Sequence, residues 1–489
     1  MTEVGEAHVL VSPFPAQGHV PPMLKLAEIL SHAGLHVTFV NTDNIHRRFL
    51  ASSPALQRLA GLPRFRFRTI PDGLPEDHPR PFLQFLDLEE SLRTRSREHY
   101  RELLVPTGKD PDGWPPVTCA VADGILRLAS EVAAEMEIPV IFVRTSGACA
   151  VWAYLCIPDL IKGGEIPFPE EEEEKEEDGL DETIRGVPGM EGFLRRRDLP
   201  SFCRNAKSTS DRSLQFVTNA NANVRRGRGL ILNTFEALEG PVLSHIRSAI
   251  PISYALGPLH LLSRTFDDCG ADAPLSSNSA SLWQEDRSCL KWLDSQPQRS
   301  VVYISFGSVT MMSRDELMEF WHGLVDSGKR FLWVVRPDLA EGKIEEAIQE
   351  DLEKETKERG CLVGWAPQEE VLAHPAVACF LTHSGWNSTL ESVAAGVPMI
   401  CWPFFADQPV NSRFVGDVWR FGVDMKDKRG RSVVERMVRE VMEGERAEEL
   451  RRSAGEMAEL ARRSVGEGGS SYRDFENLVK DIKAMSREK

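Results

Sequence analysis

Long apolar runs are the first thing this chain lacks. Nowhere in its 489 residues do the roughly 18 consecutive apolar residues of a spanning helix occur, so no membrane span is expected. Basic residues are also in short supply. Against 74 Asp and Glu stand 58 Lys and Arg, a formal net charge of −16. A surface of that sign cannot neutralise phosphates over a broad area, which excludes nucleic acid and anionic membranes as partners. An anionic substrate would have to be held by local donors. The nine cysteines are odd in number and show neither CxxC nor zinc spacing, which argues against a disulfide framework and a zinc site. The opening MTEVGEAHVLVSPFP is acidic where a secretory leader is basic, and a cytoplasmic protein is expected. No GxGxxG follows the leading strand of either half, in HVLVSPFPAQGHV or in VVYISFGSV, which speaks against dinucleotide-dependent chemistry.

What is present is an alternation of short β-rich runs with helical patterns, the pattern of an α/β protein with parallel sheets. HVLVSPF, HVTFV, TCAVAD, PVIFV and GLILNTF mark strands in the first half, separated by helices such as PPMLKLAEILSHAG and LRLASEVAAEM. The pattern restarts with VVYISFGS and continues through FLWVVR, CLVGW, VACFLTH and VPMICWP. Ser, Asp, Ala and Gly dominate the stretch between. The expected division is therefore 1–256, a linker over 257–285, a second domain over 286–465, and a helix over 466–489 that packs back on the first domain. The acidic run Glu170–Asp178 reads as a solvated loop.

One unit carries most of the chemistry: WAPQEEVLAHPAVACFLTHSGWNSTLESVAAGVPMICWPFFADQ, residues Trp365 to Gln408. A strand, a glycine turn and a helix N-terminus meet at Ser384-Gly385-Trp386-Asn387-Ser388, where free backbone N–H groups and the positive end of a helix dipole suit a diphosphate. His383 before the turn and the Asn387 and Ser388 side chains can add hydrogen bonds. Glu391, one turn on, is an acceptor for ribose hydroxyls. Ser308, in ISFGSVT, is a second phosphate candidate, and the Trp365 indole could stack on a flat base. Each feature alone is common; here one unit supplies partners for base, ribose and phosphate together.

Over its whole length this segment resembles the signature of the plant secondary-product UDP-sugar glycosyltransferases. The resemblance implies a GT-B-like α/β fold, two Rossmann-like domains with parallel sheets facing a central cleft. It implies further that Trp365 stacks on uracil with the Ala366 backbone reading the base edge. Gln368 and Glu391 would hold ribose; His383, Asn387 and Ser388 the diphosphate; and Trp386, Asp407 and Gln408 the sugar. Gln408 resembles glucose users, whereas galactose users tend to carry His. Ser384 stands where cysteine is frequent, a swap expected to be neutral.

Transfer to a hydroxyl needs a base, because an alcohol is a poor nucleophile at neutral pH. His19, in PFPAQGHVPPMLKLAEIL, lies where the first strand meets the first helix, and the helix dipole favours its neutral form. Asp123, ending the strand TCAVAD, is the carboxylate that could orient it. In the family that the chain resembles, a His and an Asp at these places form the catalytic dyad, and a residue matching Thr145 approaches the donor sugar. The one Asp-x-Asp triplet, Asp110-Pro111-Asp112, lies in the Pro/Gly-rich TGKDPDGWPP and reads as turn chemistry rather than a metal site. No metal and no cofactor are expected beyond UDP-glucose as co-substrate.

The runs VPGMEGFLRRRDLPSFCR and RTSGACAVWAYLCIPDLI resemble plant glucosyltransferases acting on iridoids, notably 7-deoxyloganetic acid. Arg144 or the cluster Arg195–Arg197 could pair with an acceptor carboxylate, although solvation is the ordinary role of such a cluster. The expected activity is inverting, metal-independent transfer of glucose from UDP-glucose to a hydroxyl (or carboxyl) of a small plant metabolite, an iridoid or other monoterpenoid, giving a β-glucoside, by a monomer. Phenolic or other terpenoid acceptors, and a non-catalytic UDP-sugar binder, remain open alternatives.

Overall fold

A computed structural model describes residues 6–53, 55–80, 84–105, 110, 113–168, 179–266, 280–339, 359–425, 428 and 430–486. The acidic run 170–178 and residues 111–112 of the Asp-x-Asp triplet lie outside the described residues. Two compact units emerge: Met1–Phe193, Phe202–Trp283 and Arg463–Lys489 form one; Leu194–Ser201 and Gln284–Arg462 form the other.

The first unit is built on a seven-stranded sheet. Its strands are β1 (His8–Ser12), β2 (His36–Thr42), β3 (Phe65–Ile70), β4 (Cys119–Asp123), β5 (Val140–Arg144), β6 (Gly229–Leu232) and β7 (Ser253–Ala255), in the order β3-β2-β1-β4-β5-β6-β7. Neighbours are parallel, with Ser12 level with Ala122 where the order reverses between β1 and β4. Every residue of β1, β4 and β5 is buried, which is why those strands read as apolar runs with polar residues only at their ends. The helix Val20–His32 opens with two prolines in its first turn, where the missing N–H costs nothing.

Where composition predicts a linker over 257–285, the chain forms a helix, Leu259–Arg264. Leu259 and Leu262 belong to the core that contains Val9, Val11 and Phe39, together with Ala280 and Leu282. Residues 267–279 are not described. The final helix, Ser470–Met485, sets Phe475, Leu478, Ile482 and Met485 into that same core. Its Asp474 carboxylate accepts a hydrogen bond of 2.8 Å from Ala255 N, on the edge strand β7. The Ser471 hydroxyl donates to Gly257 O at 2.6 Å.

The second unit holds six parallel strands: β8 (Val301–Ser305), β9 (Arg330–Val334), β10 (Gly360–Val363), β11 (Val377–Thr382), β12 (Met399–Cys401) and β13 (Gly422–Asp424). They run in the order β10-β9-β8-β11-β12-β13. Alternate residues of β8 feed opposite faces, Val302 and Ile304 one core and Val301 and Tyr303 the other. The segment Leu194–Ser201, which the expected boundaries assign to the first domain, belongs to this unit. No described helix is long and apolar enough to cross a membrane. The eight described cysteines form no disulfide with one another.

Candidate active site

Ligands of open parallel sheets gather at the carboxyl ends of the strands where the order reverses. In the first unit that point lies between β1 and β4. The chain leaving β1 turns so that Ala16 O accepts from both His19 N and Val20 N at 3.0 Å, which makes His19 the N-cap of the first helix. Asp123 is the last residue of the adjacent β4. The result is a contact across 104 positions of sequence: His19 Nδ1 stands 2.7 Å from Asp123 Oδ2. Phe14 N donates to the same oxygen at 3.3 Å and Ile125 N to Oδ1 at 3.1 Å. Thr145, just past β5, brings its hydroxyl to 3.1 Å from His19 Nδ1.

Burial by itself pushes the Asp123 carboxyl up. The neighbouring His19, through charge and hydrogen bond, outweighs it with help from Ile125 N and Arg144, and the carboxyl ends below its ordinary range. An ionised Asp123 accepts the Nδ1 proton, which leaves Nε2 as the ring nitrogen able to take up another. The dyad is asymmetric in exposure, 16% for the His19 side chain and 1% for Asp123. The imidazole is reachable; the carboxylate is not.

In the second unit the reversal lies between β8 and β11. His383 follows β11, and its ring is flanked by two glycines. A Cβ on either Gly307 or Gly385 would come within 2.4 Å of Nε2. Gly307 has φ +68, a left-handed conformation that glycine adopts without penalty. Burial, and then Arg336, lower the His383 pKa to about 4, so the imidazole is neutral at physiological pH. Gly385 caps the helix Trp386–Ala395, placing its N-terminus beside His383.

Gln368 opens the helix after Trp365 and joins the ribose candidates. Its amide nitrogen donates to Ser388 Oγ at 2.8 Å and Glu391 Oε2 at 2.7 Å, while its oxygen accepts from Tyr303 OH at 3.1 Å. Ser308 lies half-buried in the turn after β8. Trp365 is half-buried and Ala366 buried beside Val371 and Leu372. Farther along, the Gln408 amide oxygen accepts from Phe404 N at 2.8 Å and Phe405 N at 2.7 Å. Asp407 accepts from Asn411 Nδ2 at 2.9 Å. The Trp386 indole is buried and packs at 6.1 Å from Trp419. Asn387 is half-buried in the first turn of its helix.

The candidates thus form two groups, each at the carboxyl edge of its own sheet: His19, Asp123 and Thr145 in one unit, the nucleotide-binding candidates in the other. Sequence reasoning misses three braces. Tyr303 orients Gln368. Asn411 ties Asp407 to Ser384 O, at 3.0 Å, and Ser384 sits at φ +63. Arg336, at the end of FLWVVR, donates to Gly307 O and, at 3.0 Å, to Thr310 O, fixing the turn that carries Ser308. Arg195 is not a solvated charge: it is buried and bound by both arms to Asp198 at 2.7 Å. Asp110 of the Asp-x-Asp triplet pairs with Arg66 at 2.8 Å.

Residues 253–451 match the family described as UDP-glucoronosyl and UDP-glucosyl transferase. A myricetin 3-O-rhamnoside 1,2-glucosyltransferase of Crocosmia x crocosmiiflora is 52% identical over 479 residues, covering 98% of this chain and 96% of that protein. The chain belongs to the family of UDP-glucosyl transferases. A 7-deoxyloganetic acid glucosyltransferase of Catharanthus roseus is 48% identical, covering 98% of both. Among solved structures, Os79 of O. sativa in complex with UDP matches with a TM-score of 0.78 and 30% identity, over 97% of this chain and 100% of that one. The transferase accordingly has the GT-B class of architecture, two Rossmann-like units with parallel sheets. It is a glycosyltransferase using a UDP-sugar.

Proposed function

We propose that this transferase moves glucose from UDP-glucose to a hydroxyl of a small plant metabolite with inversion and without metal. The observation that carries the reading is the Asp123–His19 contact of 2.7 Å with His19 partly exposed. His19 Nε2 takes the acceptor's proton as the hydroxyl oxygen attacks the anomeric carbon. The bond from that carbon to the phosphate oxygen breaks as UDP leaves, and Asp123 stabilises the imidazolium. Asp123 is held by His19 and two backbone amides, which leaves it orienting the base rather than attacking the sugar, and the acceptor displaces UDP in a single step. An α-linked donor then gives a β-glucoside.

The nucleotide roles are those the family resemblance implies, and the clustering of these residues at one sheet edge supports them. Trp365 stacks on the base and Ala366 reads its edge. Gln368 and Glu391, already joined, take the ribose; His383, Asn387, Ser388 and Ser308 take the diphosphate. Asp407 and Gln408, with the backbone at Trp386, take the sugar. The helix N-terminus and neutral donors stabilise departing UDP without a cation.

For the acceptor, similarity to the 7-deoxyloganetic acid enzyme supports an iridoid or another monoterpenoid. The myricetin 3-O-rhamnoside enzyme, at 52% identity, keeps a phenolic acceptor as the second reading. UDP release in EDTA, with a panel of both classes and NMR of the product anomer, tests the proposal. His19→Ala should lower kcat by about 10²–10⁴ with UDP affinity retained. An α-glucoside, a need for manganese or magnesium, or full turnover in His19→Ala would each overturn it.

A further inference from the structure

Three arginines are buried among the described residues: Arg144, Arg195 and Arg336. Two are anchored, Arg195 by Asp198 and Arg336 by Asp338 and the carbonyls of Gly307 and Thr310. Arg144 is different. It is 5% exposed, its Nε has no hydrogen-bond partner, and no ion pair holds its guanidinium among the described residues. A buried guanidinium without an acceptor is costly, and a fold keeps one where something else completes it.

Its surroundings narrow what that is. Arg144 ends β5 and immediately precedes Thr145, whose hydroxyl stands 3.1 Å from His19. Its guanidinium carbon lies 5.6 Å from the centre of the Tyr154 ring. From Tyr154 an aromatic chain continues through Phe202 at 6.4 Å to Phe85 at 5.7 Å and Phe216 at 5.1 Å. Gly124 makes room for the arginine stem: a Cβ there would lie 2.6 Å from Arg144 Cδ. Asp123 is within electrostatic reach, yet its oxygens are taken by His19, Phe14 N and Ile125 N. The unfilled acceptor position on Arg144 therefore calls for an anion from outside, beside apolar and aromatic walls.

We propose that Arg144 anchors the carboxylate of an acidic acceptor, so that the transferase selects hydroxy acids with an apolar body over their neutral counterparts. The guanidinium fork binds the acid group, and a separate hydroxyl of the same molecule is the nucleophile presented to His19. This rests on the proposed glucosyl transfer and names its acceptor class.

The test is equilibrium binding, read independently of turnover. A panel of iridoid and phenolic hydroxy acids, 7-deoxyloganetic acid among them, is titrated against the wild type, Arg144→Met and Arg144→Lys, each acid beside its methyl ester. At least one acid should bind the wild type about 10- to 100-fold more tightly than its ester, the range of a charge-assisted pair. Arg144→Met should abolish that preference. Arg144→Lys, which keeps the charge but loses the fork, should retain part of it. Melting curves separate loss of binding from loss of fold, and Arg144→Lys remains informative where Arg144→Met is unstable. No acid preferred over its ester, or a preference that survives Arg144→Met, overturns the proposal. So does an equal loss for acid and ester, which would make Arg144 only a charge partner of Asp123. UDP release with the same panel reports separately on glucosyl transfer: an acid preference lost in Arg144→Met without any UDP release would keep the anchor and sink the reaction.

Discussion

The His383 ring and its two glycines offer a sharp test of the second unit. In Gly307→Ala the new methyl would lie 2.4 Å from His383 Nε2 and 2.5 Å from Cε1, well inside van der Waals contact. The ring cannot swing freely aside, because it is buried and Gly385 stands on the same nitrogen. Two costs add. Alanine at φ +68 pays about 1–2 kcal/mol for the left-handed backbone. Overpacking a buried site adds about 1–3 kcal/mol. Gly307→Ala should therefore destabilise by about 2–5 kcal/mol. Gly364→Ala, whose methyl meets nothing within 4 Å, should change little.

His383→Ala separates the two costs. With the ring gone the clash disappears and only the backbone term remains, so the double variant should be more stable than the summed single effects by about 1–3 kcal/mol. Urea denaturation with a common slope measures each corner of the cycle. Calorimetry of UDP binding reads the same geometry functionally. His383→Ala should lose about 10- to 100-fold, the worth of a hydrogen bond to a charged oxygen. The double variant should lose no more, since the methyl acts only through the ring. A Gly307→Ala cost under about 1 kcal/mol, or costs that add within about 0.5 kcal/mol, would refute the idea that the ring is clamped.

Three further outcomes are expected. His383 and His8 both have pKa values lowered from 6.5 to about 4, chiefly by burial. The unfolded chain therefore takes up protons first, and stability that is complete above pH 6.5 falls as pH drops toward 4, by at most about 3 kcal/mol for each histidine. His383→Gln should make the denaturation midpoint less pH-dependent in that window; an unchanged slope would count against a neutral buried ring. Ser201→Ala should disturb only the proposed sugar contacts, because Ser201 Oγ accepts from Ala406 N at 2.8 Å and Ala406, at φ +54, precedes Asp407 and Gln408. The KM for UDP-glucose should rise severalfold with UDP inhibition unchanged, whereas equal weakening of both would place the effect elsewhere. Leu478→Ala, in the final helix and fully buried, should cost about 2–5 kcal/mol in chemical denaturation, and a loss under about 1 kcal/mol would show that this helix adds little to the first core.

The sheet interiors were legible because parallel strands covered on both faces are apolar along almost their whole length, and β1, β4, β5, β8 and β11 are buried at every residue, with polar residues only at their ends. What escaped was three of the four edges, β3, β7 and β13. β3 reads Phe-Arg-Phe-Arg-Thr-Ile, with half-buried arginines where an inner strand would carry valine. β7 and β13 have three residues each, too few for any period to show. The helix Leu259–Arg264 was hidden beside a Ser/Asp-rich stretch whose composition dominates any window drawn over it. Each of these elements is held by what packs on it rather than by its own pattern.

The candidate site divides along the same physical line. His19 and Asp123 could be paired from sequence because a parallel sheet delivers its strand ends to one edge: Asp123 ends β4 and His19 caps the helix that follows β1. The braces obey no such rule. Tyr303 reads as one more apolar position of β8, Asn411 as an ordinary polar residue of a short helix, and Arg336 as the charged tail of a strand. Their partners are a side-chain amide and backbone carbonyls tens of residues away, and only the folded chain brings them together. Arg144 belongs with them in origin but not in outcome. Arg336 and Arg144 are both buried arginines at the ends of parallel strands, and only the one facing open carbonyls is satisfied by the protein. A sequence window sees the same residue at the same kind of place; whether it braces the fold or waits for a ligand is decided by the acceptors that surround it.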